Sequence, residues 1–229
     1  MRLAVIPARG GSKRIPHKNI KSFCGKPIIA YSIETAIQSN LFDKVIVTTD
    51  DAAIAEVAKQ FGAGIPFLRP KELSDDFTGT VPVIAHAIKS MQELGFEATE
   101  VCCLYATAPF VMVEDLKKGL DLLSKHQADY AFSCTSFPFP IQRAVKLSQE
   151  NAVSMFSPEF EQTRSQDLEE AYHDAGQFYW GTAEAFCQSK PVFSGNSRAV
   201  VLPRYRVQDI DTLEDWDRAE WLFKAMQMK

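Results

Sequence analysis

Short apolar segments alternate along this chain with segments of helical period, and that alternation limits the folds it can adopt. The candidate strands are four apolar or β-branched runs, at 3–6, 45–49, 101–105 and 130–134. Apolar residues between them recur with the period of about 3.6 residues that marks a helix, at 28–37, 54–58, 84–94 and 116–123. The pattern predicts a three-layer α/β fold, in which helices cover both faces of a mostly parallel sheet.

The chain is predicted to form one domain, residues 1–229, because 46% of its residues are apolar and suffice for a single core. The alternation stops between about residues 137 and 170, a stretch that contains three prolines. We predict a small β insertion there. Its extended runs are expected at 144–147 and 152–156. Because the insertion is too small to bury its own apolar residues, we predict that it mediates contact in a homodimer.

Two further strands and a last helix are predicted after the insertion. The strands are expected near 176–180 and 199–202, and the helix should begin after Thr212, with Asp215 completing its cap. Its buried stripe is predicted to consist of Leu213, Trp216, Leu222, Phe223 and Met226, with Trp221 also packed in the core.

Cysteine usage and hydropathy indicate the compartment. The five cysteines are odd in number and lack paired spacing, and the adjacent Cys102 and Cys103 should lie on opposite faces of a strand. We find no stretch of about 18 apolar residues and no signal-peptide pattern. The sequence therefore predicts a reduced, cytoplasmic protein without a membrane span.

The loop after the first strand is strongly basic. Of the 25 Lys and Arg residues in the chain, seven lie in residues 1–33, and none of the 29 Asp and Glu residues does. The whole chain has a net charge of -4, which argues against a general nucleic-acid or membrane-surface binder. The basic loop is therefore expected to bind a small phosphorylated ligand.

Two glycines precede a cluster of cationic residues in this loop, an arrangement that suits a polyphosphate. Gly10 and Gly11 would let the backbone turn its N–H groups toward phosphate oxygens, while Arg9, Lys13 and Lys18 would neutralise their charge. The Gly-Gly pair alone is equally typical of a solvated turn. Neither a Walker loop nor a Gly-x-Gly-x-x-Gly dinucleotide fingerprint is present.

The full string from Ala8 to Asn19 resembles the signature of the CMP-sialic acid synthetases, the cytidylyltransferases that activate sialic acids. Four later segments are also similar to that family, at 25–31, 48–50, 69–75 and 209–212. The resemblance covers most of the chain and weakens at 137–165. It implies a Rossmann-like nucleotide-diphospho-sugar transferase architecture, with CTP and a nonulosonic acid as substrates and Mg²⁺ as cofactor, for which Mn²⁺ could substitute.

The resemblance also implies roles for particular residues. The nucleotide would be bound by Pro7, Ala8, Arg9, Gly10, Gly11, Ser12, Lys13, Asn19, Thr78 and Thr80. The catalytic residues would be Arg9, Lys13, Lys18 and Asp211. In this scheme Arg9 and Lys13 stabilise the departing pyrophosphate, and Lys18 stabilises the region of the α-phosphate.

Asp209 and Asp211 are the predicted metal ligands. Residues two apart in an extended segment point the same way, and two carboxylates on one face suit Mg²⁺. The alternative is that Asp211 helps Thr212 to cap the last helix. For Asp50, which precedes a helical segment, the simplest interpretation is a helix cap. The hydroxyls of Thr78 and Thr80 either cap the helix that follows or contact the base or ribose, as the resemblance implies.

Two segments depart from the synthetases for N-acetylneuraminic acid. Where that group typically has Gln-Pro-Thr-Ser-Pro-Leu-Arg, this chain has Tyr-Ala-Thr-Ala-Pro-Phe-Val at 105–111. The segment 172–180 looks like the version in pseudaminic acid cytidylyltransferases. A pocket lined by Tyr105, Phe110, Tyr172, Phe178 and Tyr179 would suit the two N-acyl groups and methyl terminus of pseudaminic acid. The alternative is that these aromatic side chains fill the core.

The predicted sugar contacts are Tyr105, Arg164, Gln166, Tyr172, His173, Gln177 and Phe178. Arg164 is the candidate for binding the sugar carboxylate, with Arg143 and Lys146 as substitutes, across a dimer interface. The acceptor could instead be N-acetylneuraminic acid, legionaminic acid or a Kdo-like acid. The alternative to an enzyme is a nucleotide-binding module that has lost turnover.

Overall fold

The computed structural model describes residues 1–228. Its strands are β1 (Arg2–Pro7), β2 (Ser22–Phe23), β3 (Lys26–Pro27), β4 (Lys44–Thr48), β5 (Glu100–Leu104), β6 (Tyr130–Ser136), β7 (Val145–Leu147), β8 (Val153–Met155), β9 (Tyr172–Thr182) and β10 (Ser197–Val201). Its α-helices are α1 (Ile28–Ser39), α2 (Ala52–Gln60), α3 (Thr80–Glu93), α4 (Val113–His126), α5 (Ala183–Cys187) and α6 (Leu213–Gln227).

Six strands form the central sheet in the order β10-β6-β9-β5-β1-β4. β1 pairs in parallel with both β4 and β5, so that Val5 lies beside Ile46 on one side and Cys103 on the other. β10 is parallel to β6, whereas β9 runs antiparallel to both of its neighbours. The prediction of a mostly parallel sheet is confirmed.

Helices cover both faces of this sheet and make the fold three-layered. α1, α2 and α4 pack on one face, and α3 and α5 pack on the other. Cys102 and Cys103 lie in these two separate clusters, as the alternation of a strand predicts. Gly119 allows α4 to approach β9 closely, because a Cβ there would lie 2.7 Å from Trp180.

The insertion after β6 contains the predicted pair of short strands. β7 and β8 pair antiparallel, and Val145 lies opposite Met155. Several large apolar side chains of the insertion are exposed to solvent, namely Phe139, Leu147, Val153 and Phe156.

The last helix begins as predicted, but its buried face is narrower. Thr212 and Asp215 form a reciprocal capping box at the start of α6. Trp216 is buried beside Phe23 and Phe110, but Leu213 and Trp221 are 57% and 69% exposed, so assigning them to the core was wrong. Five residues along a helix turn a side chain through about 140°, which carries Trp221 away from the face of Trp216.

No helix in the described part of the chain is long and apolar enough to cross a bilayer.

Candidate active site

Most of the predicted nucleotide contacts lie at one edge of the sheet. Parallel strands β1, β4 and β5 end there, and the antiparallel β9 begins there. The loop after β1 therefore faces the loop that follows β5, as expected of ligand sites in α/β sheets. Between these loops lies an open cavity of about 300 Å³, which we call the basic cavity.

Five cationic side chains line the basic cavity, against one carboxylate, that of Asp211. The cationic residues are Arg9, Lys13, Arg14, Lys18 and Arg69. Of the predicted nucleotide contacts, the cavity is also lined by Pro7, Ser12, Asn19, Thr78 and Thr80. Such an excess of positive charge in a small concave site favours a ligand with several negative charges.

Four of these cations lie within 3.3 Å of acidic side chains, and the fifth, Arg69, lies 3.8 Å from one. The carboxylate of Asp76 accepts hydrogen bonds from Arg9 at 2.6 Å and from Lys13 at 2.5 Å. The bond from Lys13, followed by that from Arg9, holds the pKa of Asp76 below its usual range. Asp211 pairs with Arg14 at 2.9 Å and with Lys18 at 3.3 Å. An anionic ligand that binds these cations must therefore replace ion pairs within the protein.

The backbone of the loop is fixed by contacts that the sequence did not reveal. The buried Asn19 donates from Nδ2 to the carbonyl oxygen of Arg9 at 2.9 Å. The Gly10 N–H donates to Asp50 at 3.0 Å, so it is not free for phosphate. Glycine is needed there because a Cβ would lie 2.5 Å from a carboxylate oxygen of Asp51. Ala8 and Gly11 also lie outside the cavity lining.

Asp51, rather than Asp50, caps the helix after β4. Its carboxylate accepts from the backbone N–H of Ala53 at 2.7 Å and of Ile54 at 3.1 Å. The prediction that Asp50 is the cap is therefore corrected, since its carboxylate instead binds Gly10 and lies 3.8 Å from Arg69.

Arg69 is a site residue that sequence reasoning did not assign. Its side chain is 4% exposed, and its Nε and one Nη lack hydrogen-bond partners. Burial lowers the pKa of this guanidinium, and Asp50 partly offsets that effect. Buried donors without partners are costly, so this wall of the basic cavity is suited to a ligand oxygen. The similarity of segment 69–75 to the synthetases was the signal that could have identified it.

Neither Thr78 nor Thr80 caps α3, so that alternative was wrong. The cap residue is Gly79, without a side-chain hydrogen bond. Thr78 donates instead to Asp75 at 2.7 Å, and the hydroxyl of Thr80 lies 3.0 Å from that of Tyr105. Both threonines line the basic cavity.

A second cavity of about 420 Å³ lies beside the basic cavity. Tyr105 lines both, so the two cavities share a wall. The lining of the second cavity contains two carboxylates, Asp174 and Asp209, and no Lys or Arg among the described residues. His173 and Tyr179 complete its polar side chains together with Gln208.

The two predicted metal ligands line different cavities, with Asp211 in the basic cavity and Asp209 in the second. Solvent reaches Asp209, yet partial desolvation and then the charge of Asp211 raise its pKa. Thr212 and Asp215 supply the helix cap, which leaves the carboxylate of Asp211 directed at cationic residues.

This donor set fits a hard cation that keeps other oxygen ligands. Two neighbouring carboxylates destabilise each other, and a divalent cation would relieve that repulsion. Within residues 1–228 no cluster of three or more His, Cys, Asp or Glu side chains could hold a metal. Mg²⁺ commonly uses one or two carboxylates together with water and substrate phosphates, so the residues present suit it.

Comparison with known proteins identifies the family. The family model described as Cytidylyltransferase matches residues 3–220. The chain belongs to the cytidylyltransferase family. It is 47% identical to a pseudaminic acid cytidylyltransferase of Campylobacter jejuni, over 97% of this chain and 96% of that protein. It is 31% identical to a CMP-N,N'-diacetyllegionaminic acid synthase of Legionella pneumophila, over 98% and 97%.

The fold of this cytidylyltransferase is shared by a solved structure of CMP:2-keto-3-deoxy-manno-octonic acid synthetase complexed with CTP. The TM-score is 0.74 at 17% identity, and the match covers 98% of this chain and 99% of that one.

The predicted sugar contacts of the cytidylyltransferase divide into three groups. Tyr105 and His173 line the second cavity. Gln177 and Phe178 are 3% and 0% exposed and line neither cavity, so the structure gives them packing roles. Gln177 donates to the carbonyl oxygen of Arg206 at 2.5 Å. Phe178 packs close to α4, and Phe110, another aromatic residue of the predicted pocket, is buried in a separate core cluster.

The third group lies on the surface. Arg164, Gln166 and Tyr172 are exposed and outside both cavities of this chain. Arg164 pairs with Asp167 at 2.7 Å, and the hydroxyl of Tyr172 donates to Glu170 at 2.7 Å.

Proposed function

We propose that this cytidylyltransferase transfers CMP from CTP to the anomeric hydroxyl of pseudaminic acid. The products are CMP-pseudaminic acid and pyrophosphate. The observation that carries the proposal is the pair of adjoining cavities, one lined by five cations and the other by tyrosines and carboxylates, with Tyr105 in both. A triphosphate in the first cavity would lie beside an acceptor in the second.

The cationic residues would bind the triphosphate. Arg9 and Lys13, which now share Asp76, suit the β- and γ-phosphates that leave as pyrophosphate. Lys18 donates to the carbonyl oxygen of Ile210 at 2.7 Å and lies beside Asp211, and this position at the start of the segment 209–211 suits it to the α-phosphate. The unpartnered N–H groups of Arg69 suit a carbonyl oxygen of the base.

Asp209 and Asp211 would hold Mg²⁺. When bound, the ion supplies positive charge to the phosphates and acidifies a coordinated hydroxyl. The protein itself contributes positioning and fixed charge, because phosphoryl transfer needs little covalent chemistry from side chains.

The reaction forms a bond between the anomeric oxygen of the sugar and the α-phosphorus and breaks the bond from that phosphorus to the pyrophosphate oxygen. The anomeric hydroxyl loses its proton as the new bond forms. The rings of Tyr105 and Tyr179, whose centroids lie 5.6 Å apart, give the acceptor cavity an apolar wall. Such a wall suits the N-acyl groups of pseudaminic acid, and the higher identity to pseudaminic acid enzymes supports the same choice.

The test is pyrophosphate release by the purified protein with CTP and Mg²⁺, with pseudaminic acid and N-acetylneuraminic acid compared as acceptors. We expect kcat/KM for pseudaminic acid to be at least about 10-fold higher, since loss of matched contacts in a specific pocket commonly has such an effect. A preference for N-acetylneuraminic acid would refute the assignment of pseudaminic acid as the acceptor but would still support the transfer of CMP from CTP. No release with either sugar would favour a nucleotide-binding module.

We also propose that a second copy of the chain covers the insertion and completes the acceptor site. The exposed side chains of Leu147, Val153 and Phe156 form an apolar surface on the β7–β8 hairpin. The second cavity lacks Lys and Arg, whereas the sugar carries a carboxylate. Arg164 of the neighbouring copy is the first candidate for that contact, and Arg143 and Lys146 are the alternatives.

Sedimentation velocity tests this arrangement. We expect a dimer for the natural protein, and mostly monomer for a Leu147→Lys, Val153→Lys variant, because two charges would be buried in an apolar contact. A monomeric natural protein with full turnover would contradict the proposal.

A further inference from the structure

The loop at 74–79, directly before α3, presents an acidic side chain to two cations of the basic cavity. The carboxylate of Asp76 accepts from Arg9 through Oδ1 at 2.6 Å and from Lys13 through Oδ2 at 2.5 Å. Arg9 also donates to the carbonyl oxygen of Asp75 at 2.9 Å. The loop therefore offers these two cations three oxygen atoms, as a terminal phosphate group does.

Hydrogen bonds within the loop hold its backbone in a turn. The carboxylate of Asp75 accepts from the N–H of Phe77 at 3.0 Å and from both the N–H and the hydroxyl of Thr78 at 2.7 Å. The bonds from Thr78, followed by that from Phe77, hold the pKa of Asp75 below its usual range. Because Asp75 closes the turn, the carboxylate of Asp76 is available for contacts outside the loop.

The ion pairs of Asp76 lie at the surface. The side chains of Arg9 and Asp76 are each 35% exposed, and that of Lys13 is 79% exposed. Such pairs contribute little to stability, because water solvates both partners and salt screens them. Asp76 also lies outside the lining of the basic cavity, so an anion can approach the cations while they are still paired. A ligand with more negative charge can therefore displace this carboxylate.

A carboxylate of the same chain competes efficiently with a free ligand. Its effective concentration at the two cations is about millimolar or higher, as for groups joined by a short linker. The apparent dissociation constant of a phosphate ligand rises as the fraction of molecules with unoccupied cations falls. CTP has further contacts available through its base and α-phosphate, whereas pyrophosphate depends mainly on the cations. The competition therefore favours the departure of pyrophosphate.

We propose that Asp76 is a positioning residue that competes with polyphosphate for Arg9 and Lys13 and thereby speeds the release of pyrophosphate. In the empty site it holds the two cations together. CTP displaces it on binding, and it returns to the cations as pyrophosphate leaves. Product release limits the turnover of many enzymes, so a competitor within the chain raises kcat. The inference rests on the proposed function, in which these cations bind the β- and γ-phosphates.

The variant Asp76→Asn tests the competition, since it keeps the shape of the side chain and removes its charge. We expect Kd for inorganic pyrophosphate, measured by isothermal titration calorimetry with Mg²⁺, to fall about 3- to 10-fold, as the loss of two exposed ion pairs implies. Kd for CTP should fall by the same factor. Kd for CMP, which lacks the β- and γ-phosphates, should change by less than about 2-fold.

Glu72→Gln is the matched control. Glu72 is an exposed acidic residue two positions before the loop, and it lies outside the lining of the basic cavity. Its replacement removes one negative charge near the site without touching Arg9 or Lys13. We expect this variant to bind pyrophosphate and CTP as the natural protein does. Both variants should keep the natural midpoint of thermal unfolding within about 2 °C, because exposed charges contribute little to stability.

Kinetics give a second measurement. Pyrophosphate should inhibit Asp76→Asn more strongly than the natural protein, with an inhibition constant against CTP that falls by the same factor as Kd. The steady-state kcat should fall, whereas the rate of a single turnover should stay unchanged, because only product release is slowed.

The outcomes separate this inference from the proposed reaction. Tighter binding of pyrophosphate by Asp76→Asn, together with natural binding by Glu72→Gln, supports the competition. Weaker binding by Asp76→Asn would show that Asp76 arranges the cations for phosphate, and unchanged binding would show that its ion pairs play no part, so either result would overturn the inference. Equal tightening in Glu72→Gln would overturn it as well. Tighter binding without turnover would refute the reaction but not the competition.

Discussion

Replacing Asp211 with Asn should lower kcat by about 10²- to 10³-fold, with little loss of stability. The carboxylate of Asp211 lies in the basic cavity, 2.9 Å from Arg14 and 3.3 Å from Lys18. Removal of one such fixed charge from a site that stabilises a transition state commonly has an effect of this size. We also expect the Mg²⁺ concentration for half-maximal activity to rise, since one of the two proposed ligands is lost.

The fold should tolerate this change because Asp211 does not cap α6. Thr212 and Asp215 supply that cap, so the midpoint of thermal unfolding should stay close to that of the natural protein. Asp217→Asn, six residues further along on the exposed surface of α6, is the matched control and should keep full activity. Natural kcat and Mg²⁺ dependence in Asp211→Asn would refute the metal assignment. A large loss of stability would instead favour a structural role.

The helices and strands could be predicted because the sequence signals for them span only a few residues. The box formed by Thr212 and Asp215 spans one helical turn, and the strand of Val5 is a continuous apolar run. Burial on the surface of α6 was less predictable, since Trp221 is as apolar as Trp216. The residues that pack against α6, which include Phe23, Ile28 and Phe110, decide which of the two is covered.

The site was predictable where a single loop carries the chemistry. Arg9, Lys13 and Lys18 all follow β1, and the structure places them in one cavity. Contacts between distant parts of the chain give no local sequence signal. An example is the contact of Lys18 with Asp211, which lie 193 residues apart. Asp174 was not assigned to the site. Regular alternation would put it on the face opposite Tyr179, and spacing alone does not reveal the bulge in β9 that brings the two residues together.

Gln177 was predicted to contact the sugar but belongs to a buried hydrogen-bond network. Instead of contacting sugar, its amide holds the carbonyl oxygen of Arg206, whose guanidinium binds both oxygens of Asp115, at 2.6 and 3.0 Å. Hydrogen bonding to Asp115 raises the pKa of Arg206 against the opposing effect of burial. Because Arg206 lies three residues before Asp209, the network fixes the start of the segment that carries both acidic site residues.

Replacing Asp115 with Ala should therefore destabilise the protein by about 3 to 5 kcal/mol, because the positive charge of Arg206 would stay buried without a partner. The side chains of both residues are only about one-tenth exposed. For a chain of this length the loss corresponds to a fall of roughly 10 °C in the midpoint of thermal unfolding, measured by calorimetry. The change also removes the acceptor for the Met112 N–H at the start of α4. An Asp115→Leu, Arg206→Met double variant has no unpaired charge and should be more stable than Asp115→Ala. If the double variant were the less stable of the two, the destabilisation in Asp115→Ala would arise from lost packing and capping rather than from the unpaired guanidinium of Arg206.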